Sequence, residues 1–203
     1  PLTAKAERQM RIFGVILAGG DGRRMGGADK ALLSLSGETL LSRVIARAEP
    51  QVARLALSAN GNAGRFAGYD LPVLADSVPL GPLSGILAAL RWAAPLGATA
   101  VVSFAVDTPF FPGDLVPRLC LAAESAPQGL AIARSGKDHP TFGLWPVGLT
   151  PALSSYLDSG VKPRVMGFAE AQGCGRADFP EDGAFANLNT PDDLAQAERL
   201  LRG

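Results

Sequence analysis

A chain of 203 residues, 47% hydrophobic and 19% charged, can bury one sizeable core and reads as a single domain. Its 19 Lys and Arg balance 19 Asp and Glu with no basic run, which argues against a nucleic-acid binder and favours a small anionic ligand met by a local cluster of charge. Cys120 and Cys174 have no Cys or His at metal-ligand spacing, so neither a zinc site nor a disulfide framework is supported, and no run reaches transmembrane length.

Residues 1–11 read as a loosely ordered extension. Lys5, Arg8 and Arg11 before a short apolar run could mimic a leader, but Gly14 interrupts that run and a glycine-rich stretch follows it, so 12–18 is predicted as a buried strand and a cytoplasmic setting is expected. Further strands are predicted at 54–58, 72–75, 100–106 and 130–133, each short, apolar and flanked by Gly, Pro, Asn or Asp. Helices are predicted between them at 40–48, 83–94 and 114–123, the last making Cys120 a small core residue. This βαβα order with strands apolar throughout predicts an α/β fold: a Rossmann-like, doubly wound, mostly parallel sheet with helices on both faces. After 133 the pattern loosens through GKDHPTFGLWPVG, then suggests helices near 149–157 and 165–171 and a strand at 177–179. In NTPDDLAQAERLL, Thr190 can cap a final helix, Pro191 suits its first position, and Asp192 and Asp193 favour its positive end.

The stretch LAGGDGRRMGGADKALL, residues 17–33, puts Gly19, Gly20, Gly22, Gly26 and Gly27 beside Arg23, Arg24 and an Asp-Lys pair. A glycine-rich loop after the first strand of such a sheet lies at its carboxyl edge, where ligands of open sheets collect. Bare backbone N–H groups can converge on an anion there, and Arg24 and Lys30 add charge, so a triphosphate is the natural guest. The stretch is not a P-loop, because Ala31 follows Lys30, and the third glycine of a dinucleotide fingerprint is missing.

The pattern from Leu17 to Val44 resembles the signature of the MobA-type molybdenum cofactor guanylyltransferases, nucleotidyltransferases of the nucleotide-diphospho-sugar transferase fold. The resemblance continues through LADS at 74–77, GPLSGILAAL at 81–90, VDTPFFPGDL at 106–115, DHPTFGLW at 138–145 and NLNTPDDL at 187–194. It implies transfer of GMP from GTP to molybdenum-molybdopterin with Mg²⁺, and contacts with proteins that supply the cofactor or accept it. By the same resemblance, residues 12–133 form the nucleotide-binding part and 134–203 the part facing the pterin substrate.

Residue by residue, the resemblance implies that Leu17, Ala18 and Gly19 meet guanine and ribose through backbone groups, while Gly20, Gly22, Arg24 and Lys30 lie along the phosphates. Asp76 matches a nucleotide-contacting aspartate, Asp107 the Mg²⁺ ligand, and Asn187 and Asn189 a pair needed at the active site. Gly81, Gly85 and His139 fall on the pterin side. Two positions depart from the family pattern: Val106 stands where Cys is frequent, and Ser58 stands where the second strand carries Asn, with Asn60 two residues on, so either Ser58 or Asn60 is the nucleotide contact.

The chemistry agrees with such an assignment. Nucleotidyl transfer builds charge on phosphate oxygens, which calls for Mg²⁺, Arg and Lys more than for a general base, and a phosphate nucleophile is already ionised at neutral pH. A single His in the chain is therefore no obstacle. Taken alone, Asp107 before Thr-Pro could be a turn residue, and an isolated His139 reads first as structural. Lys162 and Arg164 read as solvated charges, with a pterin-phosphate anchor as their functional alternative. Trp92 and Trp145 read as core or rim, and Trp145 is the better candidate for stacking on a ring. Two competing readings are a cytidylyl- or sugar-phosphate nucleotidyltransferase of the same fold, and a cofactor carrier without catalysis, which would need no magnesium carboxylate.

Overall fold

The structure is a computed structural model and describes residues 10–19, 29–76 and 80–202. At its centre lies β1 (Ile12–Leu17), a buried strand whose alternate side chains supply both faces of the sheet. Ile12 and Ile16 enter one core cluster, and Phe13 and Val15 enter the other. β1 pairs in parallel with β4 (Arg54–Ser58) on one side and with β6 (Ala100–Ala105) on the other, and β4 pairs with the short β5 (Val73–Leu74). The chain therefore builds outward from β1 in one direction and then crosses to its other side. That reversal opens a crevice at the carboxyl ends of β1 and β6.

Beyond β6 the sheet continues through β8 (Lys137–Pro146), β7 (Ala131–Ser135) and β9 (Gly175–Asp178), giving the order β5-β4-β1-β6-β8-β7-β9. β8 runs antiparallel to both neighbours, while β9 is parallel to β7. The mostly parallel sheet is as predicted, but β8 lies in the stretch read as loosened. Two prolines and a glycine hide its periodicity, and the ladder to β7 breaks register between Ile132, opposite Gly143, and Ala133, opposite His139. Pro140, which has no N–H to give, falls inside that break.

Helices cover both faces. α1 (Leu40–Ala48) starts where Thr39 Oγ1 accepts the Ser42 N–H, and buries Leu40, Leu41, Val44 and Ala48 along one stripe. It shares one core cluster with α3 (Leu115–Glu124), while α2 (Pro82–Ala93), α4 (Thr150–Asp158) and α5 (Val165–Ala171) build the other. Gly81 caps α2 at φ 89°, a conformation suited to glycine, and Pro82 follows at the first helical position. A small hairpin of β2 (Ser34–Leu35) and β3 (Glu38–Thr39) packs with α6 (Pro191–Arg202) around Leu35, Leu40, Leu188 and Ala197.

The α6 start is as predicted. Thr190 Oγ1 accepts the Asp193 N–H (3.2 Å), while Asp193 Oδ2 accepts the N–H groups of Thr190 and Asn189, each at 2.8 Å. Those bonds hold the Asp193 carboxyl below the usual carboxylate range, the Asn189 N–H being the leading cause. Trp145 corrects an expectation: it is fully buried, donates from Nε1 to Ser103 Oγ (2.9 Å) and packs on Phe168, so its ring cannot stack on a ligand. Cys120 is half-buried and packs against the core as predicted, and burial raises its thiol pKa. Among the described residues, no helix is long and apolar enough to cross a membrane.

Candidate active site

The carboxyl ends of the central strands stand side by side. Ala18 N–H donates to Ser58 O (2.9 Å), Ala59 N–H to Leu74 O (3.1 Å) and Val106 N–H to Leu17 O (3.3 Å). Leu17–Gly19, Ser58–Asn60, Asp76 and Asp107 therefore leave the sheet along one edge. Gly20, Gly22 and Arg24 lie outside the described residues.

One cluster forms around Asp107. Lys30, at the start of a 3-10 helix (Lys30–Leu32), places its ammonium 2.9 Å from Asp107 Oδ2 and also donates to Asn189 Oδ1. Thr108 Oγ1 donates to Asn187 Oδ1 at 2.7 Å and lies 3.2 Å from Asp107 Oδ1. The backbone fixes the same arrangement, because Leu188 N–H donates to the Asp107 carbonyl (2.7 Å). Four residues predicted from distant parts of the chain, Lys30, Asp107, Asn187 and Asn189, thus meet in one place.

A second cluster forms around Asp76. Asn60 Oδ1 accepts the Asp76 N–H (3.0 Å), Asn60 Nδ2 lies 3.4 Å from Asp76 Oδ2, and Ser84 Oγ is 3.0 Å from the same oxygen. The other carboxylate oxygen, Oδ1, is buried without a hydrogen-bond partner among the described residues, a costly state that a donor from a ligand would relieve. Asn60 is thus the member of the Ser58–Asn60 pair that engages Asp76, whereas Ser58 is buried at the strand end. Gly81 is exposed at the start of α2. Gly85, one turn later, is buried, and a Cβ there would collide with Ser58 Oγ and reach Leu17 Cδ2 at 3.0 Å, so its bareness lets α2 lie close on the strands.

His139 lies half-buried on β8, its ring stacked on Phe185 at 4.6 Å between centroids. Phe185 in turn meets Phe142 and Phe179 edge-on, so the aromatic group anchors the segment that carries Asn187 and Asn189. Burial pushes the His139 pKa below 6.5, and nearby Lys137 adds to the effect. Lys162 and Arg164 are exposed. The sequence reading missed Thr108, Ser84 and Asp29. Asp29 caps the 3-10 helix by accepting the Ala31 N–H (3.1 Å) and pairs with Arg65; its place beside Lys30 in GGADK was the available signal.

No group of three or more His, Cys, Asp or Glu among the described residues could enclose a metal. The donors gathered around Asp107 are one carboxylate and two amide oxygens. An all-oxygen set with a single carboxylate fits Mg²⁺ shared with substrate phosphates and does not fit a closed protein cage for a softer metal.

The family model described as "MobA-like NTP transferase domain" matches residues 14–172. A molybdenum cofactor guanylyltransferase from Cereibacter sphaeroides is 58% identical, with 95% of this chain and 98% of that protein covered. Among solved structures, molybdopterin-guanine dinucleotide biosynthesis protein A from Archaeoglobus fulgidus superposes with a TM-score of 0.74 at 23% identity, covering 94% of this chain and 98% of that one. A 4-diphosphocytidyl-2C-methyl-D-erythritolsynthase from Anaerococcus prevotii superposes at 0.75 with 14% identity, covering 95% and 96%. The last two establish the shared fold, and the first two findings establish the family. Matched over residues 14–172 by that family model, and 58% identical to the Cereibacter protein over nearly its full length, the chain belongs to the MobA-like NTP transferase family.

Proposed function

We propose that this protein transfers GMP from GTP to the phosphate of molybdenum-molybdopterin, forming the guanine dinucleotide cofactor and pyrophosphate. The observation that carries the reading is the convergence of Lys30, Asp107, Asn187 and Asn189 at the carboxyl ends of β1 and β6. An oxygen of the pterin phosphate attacks the α-phosphorus, a P–O bond forms to it, and the bond to the β-phosphate oxygen breaks. Lys30 meets the charge on the phosphates, and the family resemblance assigns Arg24, Gly20 and Gly22 to the same phosphates. Asp107 would hold Mg²⁺ together with the triphosphate, with Asn187 and Asn189 beside it; the ion supplies charge neutralisation on the phosphate oxygens. No residue need remove a proton, which suits a site whose nearest imidazole, His139, is stacked on Phe185.

The backbone of Leu17, Ala18 and Gly19 receives guanine and ribose, with Asp76 steadied by Asn60 as the nucleotide-side carboxylate. Gly81 and His139 face the pterin, while Gly85 serves that side by keeping α2 close to β1 and β4. The enzyme works in the cytoplasm and exchanges cofactor with supplying and accepting proteins. Purified protein incubated with α-labelled GTP, Mg²⁺ and molybdenum-molybdopterin should release pyrophosphate and transfer the label to the pterin, with both substrates required. GTP turnover independent of the pterin, or labelling from CTP alone, would overturn the proposal.

A further inference from the structure

The two polar clusters are joined by one side chain. Arg65 sits on a 3-10 helix (Ala63–Tyr69), and its guanidinium uses all three nitrogens. Nε donates to Asp29 Oδ2 (2.5 Å), Nη1 to the Asn62 carbonyl (2.7 Å) and Nη2 to the Asn60 carbonyl (2.8 Å), while Cζ lies 4.4 Å from the centroid of the Phe66 ring. The side chains of Arg65 and Asp29 are only 26% and 24% exposed, so the pair is screened less than a surface ion pair. On one side, Asp29 directly precedes Lys30 and caps the short helix that begins with it. On the other, Asn60 brackets Asp76 through both ends of its amide. A path Asp107–Lys30–Asp29–Arg65–Asn60–Asp76, made of polar contacts except for the peptide link between Asp29 and Lys30, therefore runs from the carboxylate after β6 to the one after β5.

We infer that Arg65 is a positioning residue for nucleotidyl transfer: by clamping Asp29 to the Asn60 turn, it sets where Lys30 stands relative to Asp76. The inference rests on the proposed nucleotide site. A guanidinium is required because three acceptors in different directions need a planar fork, and an ammonium on a flexible stem cannot hold them together. An arginine that only stiffened the surface would change the melting temperature and leave nucleotide affinity alone.

The test uses the full chain and the variants Arg65→Gln, Arg65→Lys, Asp29→Asn and the Arg65→Gln/Asp29→Asn double variant. GTP affinity in the presence of Mg²⁺ is measured by calorimetry, and kcat and KM for each substrate are measured well below each variant's melting temperature. Each single variant should weaken GTP binding about tenfold and raise the KM for GTP, with the pterin KM within about twofold, and the double variant should be little worse than either single one. Should Arg65→Gln fail to fold, Asp29→Asn removes the same pair from its other side. Folded variants with wild-type GTP affinity, losses that simply add in the double variant, or full rescue by Lys would overturn the inference. Wild-type protein that binds no GTP would overturn the nucleotide reading itself and take the inference with it, a result distinguishable from the others.

Discussion

At the scale of one residue, the Asp107 carboxylate meets the Lys30 ammonium and the Thr108 hydroxyl, and these two groups in turn donate to Asn189 and Asn187. Asp107→Asn keeps the size of the side chain and a hydrogen-bond acceptor for Lys30, but removes the charge that pairs with the lysine and that the proposed Mg²⁺ would need. Turnover should fall about a hundredfold or more while the fold persists, as losses of preorganised electrostatic groups usually do; activity near wild type, measured at saturating Mg²⁺, would remove Asp107 from the mechanism. His139 carries a different prediction. Burial favours its neutral form, so below pH 6.5 the unfolded chain binds more protons than the folded one. Its contribution is fully present above the unfolded value and is lost as pH falls through the window beneath it. Urea unfolding from about pH 7.5 to about pH 5.5 should show a decline in stability that His139→Phe, which keeps a ring against Phe185, makes shallower. Identical slopes for the two proteins would show that other groups set the acid dependence.

At the scale of elements, the helices and parallel strands were legible because their burial follows one period. α1 repeats apolar residues along a single stripe, β6 is buried along its whole length, and β4 is buried from Leu55 to Ser58. β8 was not legible, since its first half is only half-buried, its second half is buried, and its prolines fall at a register break and at its end. The signal that fixes it is tertiary: Trp145 and Gly143 both bond to Ser103, about forty residues away on β6. The packing of α3 on β9 also depends on a partner that no local pattern reveals. At Gly175 a Cβ would run into the Ala122 carbonyl oxygen, a backbone atom that cannot swing aside as a side chain could. Gly175→Ala should therefore force α3 away from β9 and cost about 1–3 kcal/mol, the range for overpacking a tight contact. Chemical denaturation checks this, and an unchanged midpoint would mean that the helix yields freely.

Over the whole molecule, the sheet divides the work between its halves. The parallel strands β5, β4, β1 and β6 present the loops assigned to the nucleotide in the proposed function, while β8, the one reversed strand of the seven-stranded sheet among the described residues, brings His139 and Phe142 against Phe185 and so supports the segment bearing Asn187 and Asn189. Lys30, Asp76, Asp107 and the two asparagines could be picked out in the sequence because their motifs resemble those of a family. Arg65 could not, because its partner Asp29 lies 36 residues away and neither residue type is unusual in its own neighbourhood. Base choice is a property of the same whole-edge geometry. Guanine offers N1–H and N2–H₂ donors and an O6 acceptor, and in the proposed site these are met by backbone groups at Leu17–Gly19, whose positions are fixed by the hydrogen bonds from Ala18 to β4 and from Val106 to β1. Adenine or cytosine in that place leaves at least one buried group unpaired, at a cost of about 1–3 kcal/mol, which corresponds to roughly tenfold weaker binding for one mismatch. Because backbone does the reading, Asp76→Asn should lower affinity for every nucleotide more than it alters the preference among them. With Mg²⁺ present, GTP should raise the melting temperature clearly more than ATP or CTP does, in the wild type and in Asp76→Asn alike. Equal stabilisation by all three nucleotides would leave the fold and the family standing, but would refute guanine selection by the first strand end.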